Sequence, residues 1–225
     1  MGTDKFLNVV ITGATGMVGE GVLMECLEHP QVKSVLVIGR KPNGRTHPKL
    51  KEIVRADLFD LSPIENELIG YNACFFCAGI SSVGMKEPEY FKTTYTLTTN
   101  VAKTLLKLNP DMVFEYVSGA YTDSTEKGKS MWARVKGKTE NDLGRMPFKA
   151  VYNFRPGYMH PTPGQHNLVK FYKYVTWLYP LLKGIFPTHM STLRALATAM
   201  INAALYGYDK NVLEVKDIKA LAGHE

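Results

Sequence analysis

The sequence predicts an α/β protein: a doubly wound parallel sheet with helices on both faces and a small C-terminal cap. Three observations predict it. Short apolar segments alternate with amphipathic ones along the first two thirds of the chain. The segment Ala73–Ala78 is apolar throughout, as a strand covered on both faces must be. A turn with three glycines stands between the first apolar segment and the first amphipathic one.

The elements follow in order. Phe6–Thr12 reads as a strand and Met17–Glu28 as a helix. Ser34–Gly39, rich in β-branched residues, is a second strand. Glu52–Arg55 is a third, followed by a short helix near Pro63–Ile69. After the fourth strand, Ala73–Ala78, comes a long helix, Pro88–Leu108. Met112–Ser118 is a fifth strand, Lys129–Leu143 a helix, and Ala150–Arg155 a sixth strand. Residues 1–155 thus form the core of a single domain spanning 1–225. The remainder, 156–225, reads as a substrate-binding or cap segment. There Pro156, Pro161, Pro163 and Pro187 alternate with Tyr158, Phe171, Tyr172, Tyr174, Trp177, Tyr179 and Phe186. This aromatic run suits a cap helix packed on the sheet, or else a substrate pocket or dimer surface. Leu193–Tyr206 closes as a helix and Val212–Val215 as an edge strand.

The chain of 225 residues carries 27 Lys and Arg against 21 Asp and Glu, a net charge of +6. The basic residues concentrate at Lys41–Arg55 and Lys127–Lys138, with no arginine-rich tail or reader motif, which argues against nucleic acid and for solvated faces plus a phosphate site. Met1–Lys5 leads directly into the first strand, and the apolar stretch Tyr174–Leu182 is too short to span a bilayer. A cytoplasmic protein with a small-molecule substrate and no membrane partner is expected. Cys74 and Cys77 have C-x-x-C spacing, but on a strand residues three apart face opposite ways, so two structural thiols are expected rather than a redox or zinc pair. No metal-ligand spacing occurs, and His160 and His166 read as surface-loop residues.

The glycine-rich turn carries the strongest functional signal. Gly13, Gly16 and Gly19 have the spacing G-x-x-G-x-x-G. Gly13 suits a tight turn, Gly16 a close backbone approach to a diphosphate, and Gly19 close packing of helix on strand. Residues Thr15, Met17 and Val18 complete the cradle at a helix N-terminus, whose N–H groups and dipole favour an anion. The arrangement is a Rossmann-type dinucleotide fingerprint. About twenty residues on, where an NAD site places an acid for the ribose 2′-hydroxyl, the chain has Arg40 and Lys41. Two cations there suit a 2′-phosphate, so NADP(H) is the expected cofactor. Asp57 and Leu58, past the third strand, are placed to approach the adenine edge.

These residues resemble the extended or atypical branch of the short-chain dehydrogenase/reductase superfamily, and most nearly its Tat-interacting-protein-like oxidoreductases and nucleoside-diphosphate-sugar epimerases. The loop Thr12-Gly13-Ala14-Thr15-Gly16 through Gly19 has that branch's form. Cys77-Ala78-Gly79 stands where the family keeps a small triplet after its fourth strand, and Asn100-Val101 matches its N-V pair. Ser118 ends the fifth strand at the family's catalytic serine. Lys136 and Glu140 resemble its K-x-x-x-E helix pattern, and Arg155-Pro156-Gly157 closes the sixth strand. The resemblance covers residues 6–160. It implies hydride transfer with a small carbonyl, alcohol or sugar-nucleotide substrate. It also implies a homodimer through the helices Pro88–Leu108 and Lys129–Leu143.

One departure stands out. The family uses Tyr-x-x-x-Lys, one helical turn apart, with the lysine lowering the tyrosine pKa. Here the stretch is Trp132-Ala133-Arg134-Val135-Lys136. An indole N–H donates a hydrogen bond but does not shuttle a proton. The literal matches Tyr179–Lys183 and Tyr206–Lys210 fall after the sixth strand, where the motif has no role. Tyr121, three residues past Ser118, is a substitute phenol, and Tyr158 another. In that scheme Ser118 holds the substrate oxygen, Lys136 the nicotinamide ribose, and Tyr121 donates the proton. The alternative is an NADP(H)-binding sensor or scaffold that has lost proton transfer.

Overall fold

The computed structural model describes residues 5–168 and 190–223. The strands are β1 (Leu7–Thr12), β2 (Val32–Gly39), β3 (Leu50–Val54), β4 (Ala73–Phe76), β5 (Val113–Val117), β6 (Ala150–Arg155), β7 (Tyr158–His160), β8 (Met190–Thr192) and β9 (Val212–Glu214). The helices are α1 (Met17–Glu28), α2 (Glu87–Phe91), α3 (Leu97–Leu108), α4 (Met131–Leu143), α5 (Leu193–Tyr206) and α6 (Val215–Ala222). A 3₁₀ turn, Ser62–Leu68, precedes β4.

Seven strands form one sheet in the order β3-β2-β1-β4-β5-β6-β9, every neighbouring pair parallel. The chain winds outward from β1 in one direction and, from β4, in the other. The order therefore reverses between β1 and β4, which opens a crevice beyond their carboxyl ends. The expected Val212–Val215 strand is the far edge, although Val215 itself begins α6. Glu214 and Asp217 form a reciprocal capping box that starts this helix.

Side-chain alternation divides the core into two layers. Val9, Ile11, Phe75 and Phe154 pack under α1 and α5 with Leu23, Cys26, Leu196 and Met200. Val10, Cys74, Phe76, Phe114 and Tyr116 pack under α3 and α4 with Val101, Leu105 and Leu143. Cys74 belongs to the second layer while Cys77 packs against the first, so the two thiols diverge as strand geometry requires. Both are free.

The long helix expected at Pro88–Leu108 is interrupted. Between α2 and α3 a π-helical turn, Lys92–Thr96, inserts a wider loop of backbone. Past β6 the chain makes the short strand β7, which pairs in parallel with β8 in a separate two-stranded sheet. The proposed cap helix at Phe171–Phe186 lies outside the described residues. No helix among the described residues is long and apolar enough to cross a membrane.

Candidate cofactor and active site

The glycine turn is jammed against the end of β4. Gly13 has φ +76, and a Cβ there would stand 2.6 Å from the Cys77 carbonyl and the Ala78 nitrogen. A Cβ on Gly19 would stand 2.2 Å from the Gly13 carbonyl oxygen, so Gly19 lets α1 lie on the turn itself. Gly16 differs: its nearest neighbour would be 3.4 Å away, so the protein leaves room on that side. Gly16 is also the N-cap of α1 and has no side-chain cap. The leading N–H groups of α1 are thus left for an anion. Thr12 fixes the wall opposite, its Oγ1 accepting from the Ala78 N–H at 3.3 Å.

These segments line a cleft of about 820 Å³. Gly13, Thr15 and Gly16 form one side, Cys77, Ala78, Gly79 and Ile80 another. Arg40, Lys41 and Pro42 enter from the end of β2, Ala56, Leu58 and Phe59 from beyond β3, Thr93 and Leu97 from the α2–α3 segment, and Asn167 from beyond β7. An adjoining apolar slot is lined by Ile38, Leu58, Leu61, Phe76, Leu97 and Val101. Arg40 and Lys41 are exposed and form no ion pair among the described residues.

Several expected cofactor residues shape this cleft without lining it. Met17 is buried in the first core layer, Val18 packs against that layer, and Gly19 acts through clearance. The Asp57 carboxylate accepts from the Phe59 N–H at 2.8 Å, and the Asn100 side chain donates to the Phe59 carbonyl at 3.2 Å. Both residues therefore hold the 56–59 loop, which presents Ala56, Leu58 and Phe59 to the cleft.

A second cluster sits at the ends of β5 and β6. Ser118 is buried, 4% exposed. Its hydroxyl lies 2.5 Å from Glu140 Oε1 and 3.1 Å from the Phe154 carbonyl. Arg155 binds the same carboxylate twice, at 3.0 Å through Nε and 2.5 Å through Nη2, and also reaches Ser124 Oγ at 2.5 Å. Arg155 is thus held by Glu140 rather than turned to the cleft. The Pro156 carbonyl accepts from the Ala120 N–H at 2.9 Å, which continues the β5–β6 pairing. Lys136 donates from Nζ to the Ser118 carbonyl. Burial pushes its ammonium down to about 8, with Glu140 one turn away countering in part.

Lys136 and Ser118 are therefore adjacent, joined through the serine's carbonyl rather than its hydroxyl. Tyr121 sits in a turn with φ +67 and is 75% exposed. Trp132 is half-buried in the first turn of α4. Glu140, which organises the cluster, was legible only as the acid four residues after Lys136. Glu20, Arg45 and Asn167 gave no sequence signal beyond their residue types.

Sheet order, crevice and glycine turn together define a Rossmann-type α/β domain. The model of the NAD dependent epimerase/dehydratase family matches residues 9–137, more than half of the chain, and the chain belongs to that family, within the extended short-chain dehydrogenases/reductases. Among solved structures, the ADP-L-glycero-D-manno-heptose-6-epimerase of Helicobacter pylori is similar, with TM-score 0.67 at 16% identity, covering 100% of this chain and 85% of the other. The glucuronic acid dehydrogenase of Chromohalobacter salexigens gives TM-score 0.68 at 15% identity, covering 92% and 76%. The Bordetella bronchiseptica enzyme WbmF, solved in complex with NAD+, gives 0.64 at 17% identity, covering 98% and 80%. At these identities the likeness is one of fold. A comparison with curated proteins finds no match.

Proposed function

We propose that the chain is an NADP(H)-dependent oxidoreductase of epimerase-like type, acting on a small carbonyl, alcohol or sugar-nucleotide substrate. One observation carries the reading: Arg40 and Lys41 line the same cleft as the uncapped start of α1, with no acid at the end of β2. In a dinucleotide fit, Gly13–Gly16 would hold the diphosphate, Leu58 on the cleft wall would meet the adenine, and Arg40 and Lys41 would meet a 2′-phosphate. The nicotinamide, when bound, supplies the hydride donor or acceptor. The protein's part is to orient and to move a proton. Ser118 follows β5, the strand next to β4, and Lys136 reaches it from α4. Burial pushes the Lys136 ammonium down to about 8, and it touches the turn that Ser118 opens, so of the two residues it is the one that would supply a proton, which the Trp132 indole does not.

The test is a fluorescence titration with NADPH and NADH, on the natural chain and on Arg40→Ala. Tight NADPH binding that weakens about tenfold or more in the variant, with NADH little changed, is expected. Equal affinity for both cofactors, unaffected by the substitution, would overturn the NADP reading. Trp132 in the tyrosine position favours a second reading, a cofactor-binding sensor without turnover. Cofactor binding together with no oxidation of NADPH by any carbonyl substrate tested would select it.

A further inference from the structure

We propose that Asn167 is a cofactor contact, its carboxamide donating to the dinucleotide's diphosphate, and that Glu20 is the residue that positions it. This rests on the reading of the cleft as a dinucleotide site. Glu20 lies one turn into α1, its N–H bonded to the Gly16 carbonyl at 2.9 Å, and it is 2% exposed. A carboxylate so close to a phosphate cradle is out of place on charge grounds. Here it is fully engaged. Arg45 Nη2 donates to it at 2.6 Å, the His166 N–H at 3.0 Å, and the Asn167 N–H at 2.7 Å. Burial alone would raise its pKa, yet these donors outweigh burial and hold the carboxyl below its ordinary value.

One carboxylate thereby joins three segments. They are the start of the cofactor helix, the β2–β3 loop that also bears Arg40 and Lys41, and the strap beyond β7. Further bonds seat the strap. Arg45 Nη2 also donates to the Gly164 carbonyl at 3.0 Å. Gln165 Nε2 donates to the Met17 carbonyl at 2.7 Å, while its Oε1 accepts from the Thr162 N–H at 2.7 Å. Asn167, the strap residue that lines the cleft with Gly16, is fixed through its backbone to the carboxylate of Glu20, one helical turn after Gly16. A carboxamide so placed offers two N–H donors to an anion at the helix start.

The experiment is a calorimetric titration of the full chain with NADPH and, by competition, with adenosine 2′-monophosphate, which lacks the diphosphate. Asn167→Ala is expected to weaken NADPH about tenfold, the size of one charge-assisted hydrogen bond, and to leave adenosine 2′-monophosphate within twofold. Asn167→Asp is expected to weaken NADPH further, by setting like charges together. In a Glu20→Gln background, Asn167→Ala is expected to cost much less, because the strap no longer presents the side chain; a merely structural Glu20 would leave the two effects additive. NADPH binding equal in the natural chain and in Asn167→Ala would overturn the Asn167 contact while the dinucleotide reading stands. Failure of the natural chain to bind any dinucleotide would overturn both.

Discussion

Arg155 and Glu140 meet through two hydrogen bonds, from β6 to α4, with side chains only 11% and 2% exposed. This buried pair ties the end of β6 to the helix that carries Lys136. Through Ser118 it also reaches the end of β5.

Removing Glu140 takes both short bonds from the mostly buried Arg155 guanidinium and leaves it, among the described residues, only the longer ion pair with Glu214 at 3.4 Å. Glu140→Ala should therefore cost about 3–5 kcal/mol of unfolding free energy, read from urea denaturation. A loss of less than about 1 kcal/mol would mean that the pair contributes little.

Lys136 should titrate with a midpoint near 8, measured by its rate of reductive methylation against pH. Its folded value lies below the ordinary lysine value of 10.5, so between about 8 and 10.5 the unfolded chain binds more protons. Stability should rise with pH across that window. Lys136→Met should remove the rise. Because Glu140 works against the shift, Glu140→Gln should move the midpoint lower.

Glu115 points the other way. It is wholly buried in the middle of β5, and neither carboxylate oxygen has a hydrogen-bond partner among the described residues, so burial drives its pKa well above the usual carboxylate range. The folded chain holds this proton where the unfolded chain, at its ordinary value of 4.5, has lost it. The contribution is therefore complete below that value and declines as pH rises from it toward the folded value. Relative to Glu115→Leu, the natural chain should lose stability steadily from acid to neutral pH, as followed by Tm in a series of buffers. A pH-independent difference between the two would overturn this.

The glycines of the turn should separate stability from binding. Gly19→Ala meets the Gly13 carbonyl and should lower Tm by several degrees, for a strain of about 1–3 kcal/mol. Gly16→Ala meets nothing closer than 3.4 Å and should leave Tm nearly unchanged, yet weaken NADPH binding. Equal thermal loss in both would contradict the assigned roles.

The parallel sheet and glycine turn were legible because both rest on local rules. Buried strands are written as apolar runs, and the turn needs residues without a Cβ. Strand ends moved by only a residue or two: β2 begins at Val32 rather than Ser34, and β3 at Leu50 rather than Glu52. The helix α6 escaped notice because it is only eight residues long and follows β9 directly, so the apolar spacing Val215, Ile218, Leu221 was too brief to stand out from the edge strand. At the site, positions along the chain were readable but orientations were not. Ser118 and Lys136 are neighbours in space, but which atom of Ser118 faces the amine is decided by Glu140 and Arg155, from two other elements. The Asn167 strap is out of reach of any local rule, since Glu20 and Asn167 are 147 residues apart.

The π-helical turn at Lys92–Thr96 puts the two halves of one rod out of phase. Ahead of it Tyr90 is buried, and within it Tyr95 points to α4, its hydroxyl 2.8 Å from Asp142. Thr93 and Leu97 nevertheless reach the cleft, and Asn100 beyond them braces its Phe59 rim. A regular α-helix advances about 100° per residue, so deleting a single residue here would turn everything from Leu97 onward by about that angle. Leu97 and Asn100 would swing away from the cleft together. The irregular turn thus acts as a gear offset, letting one helix mesh with α4 at one phase and with the cleft at another.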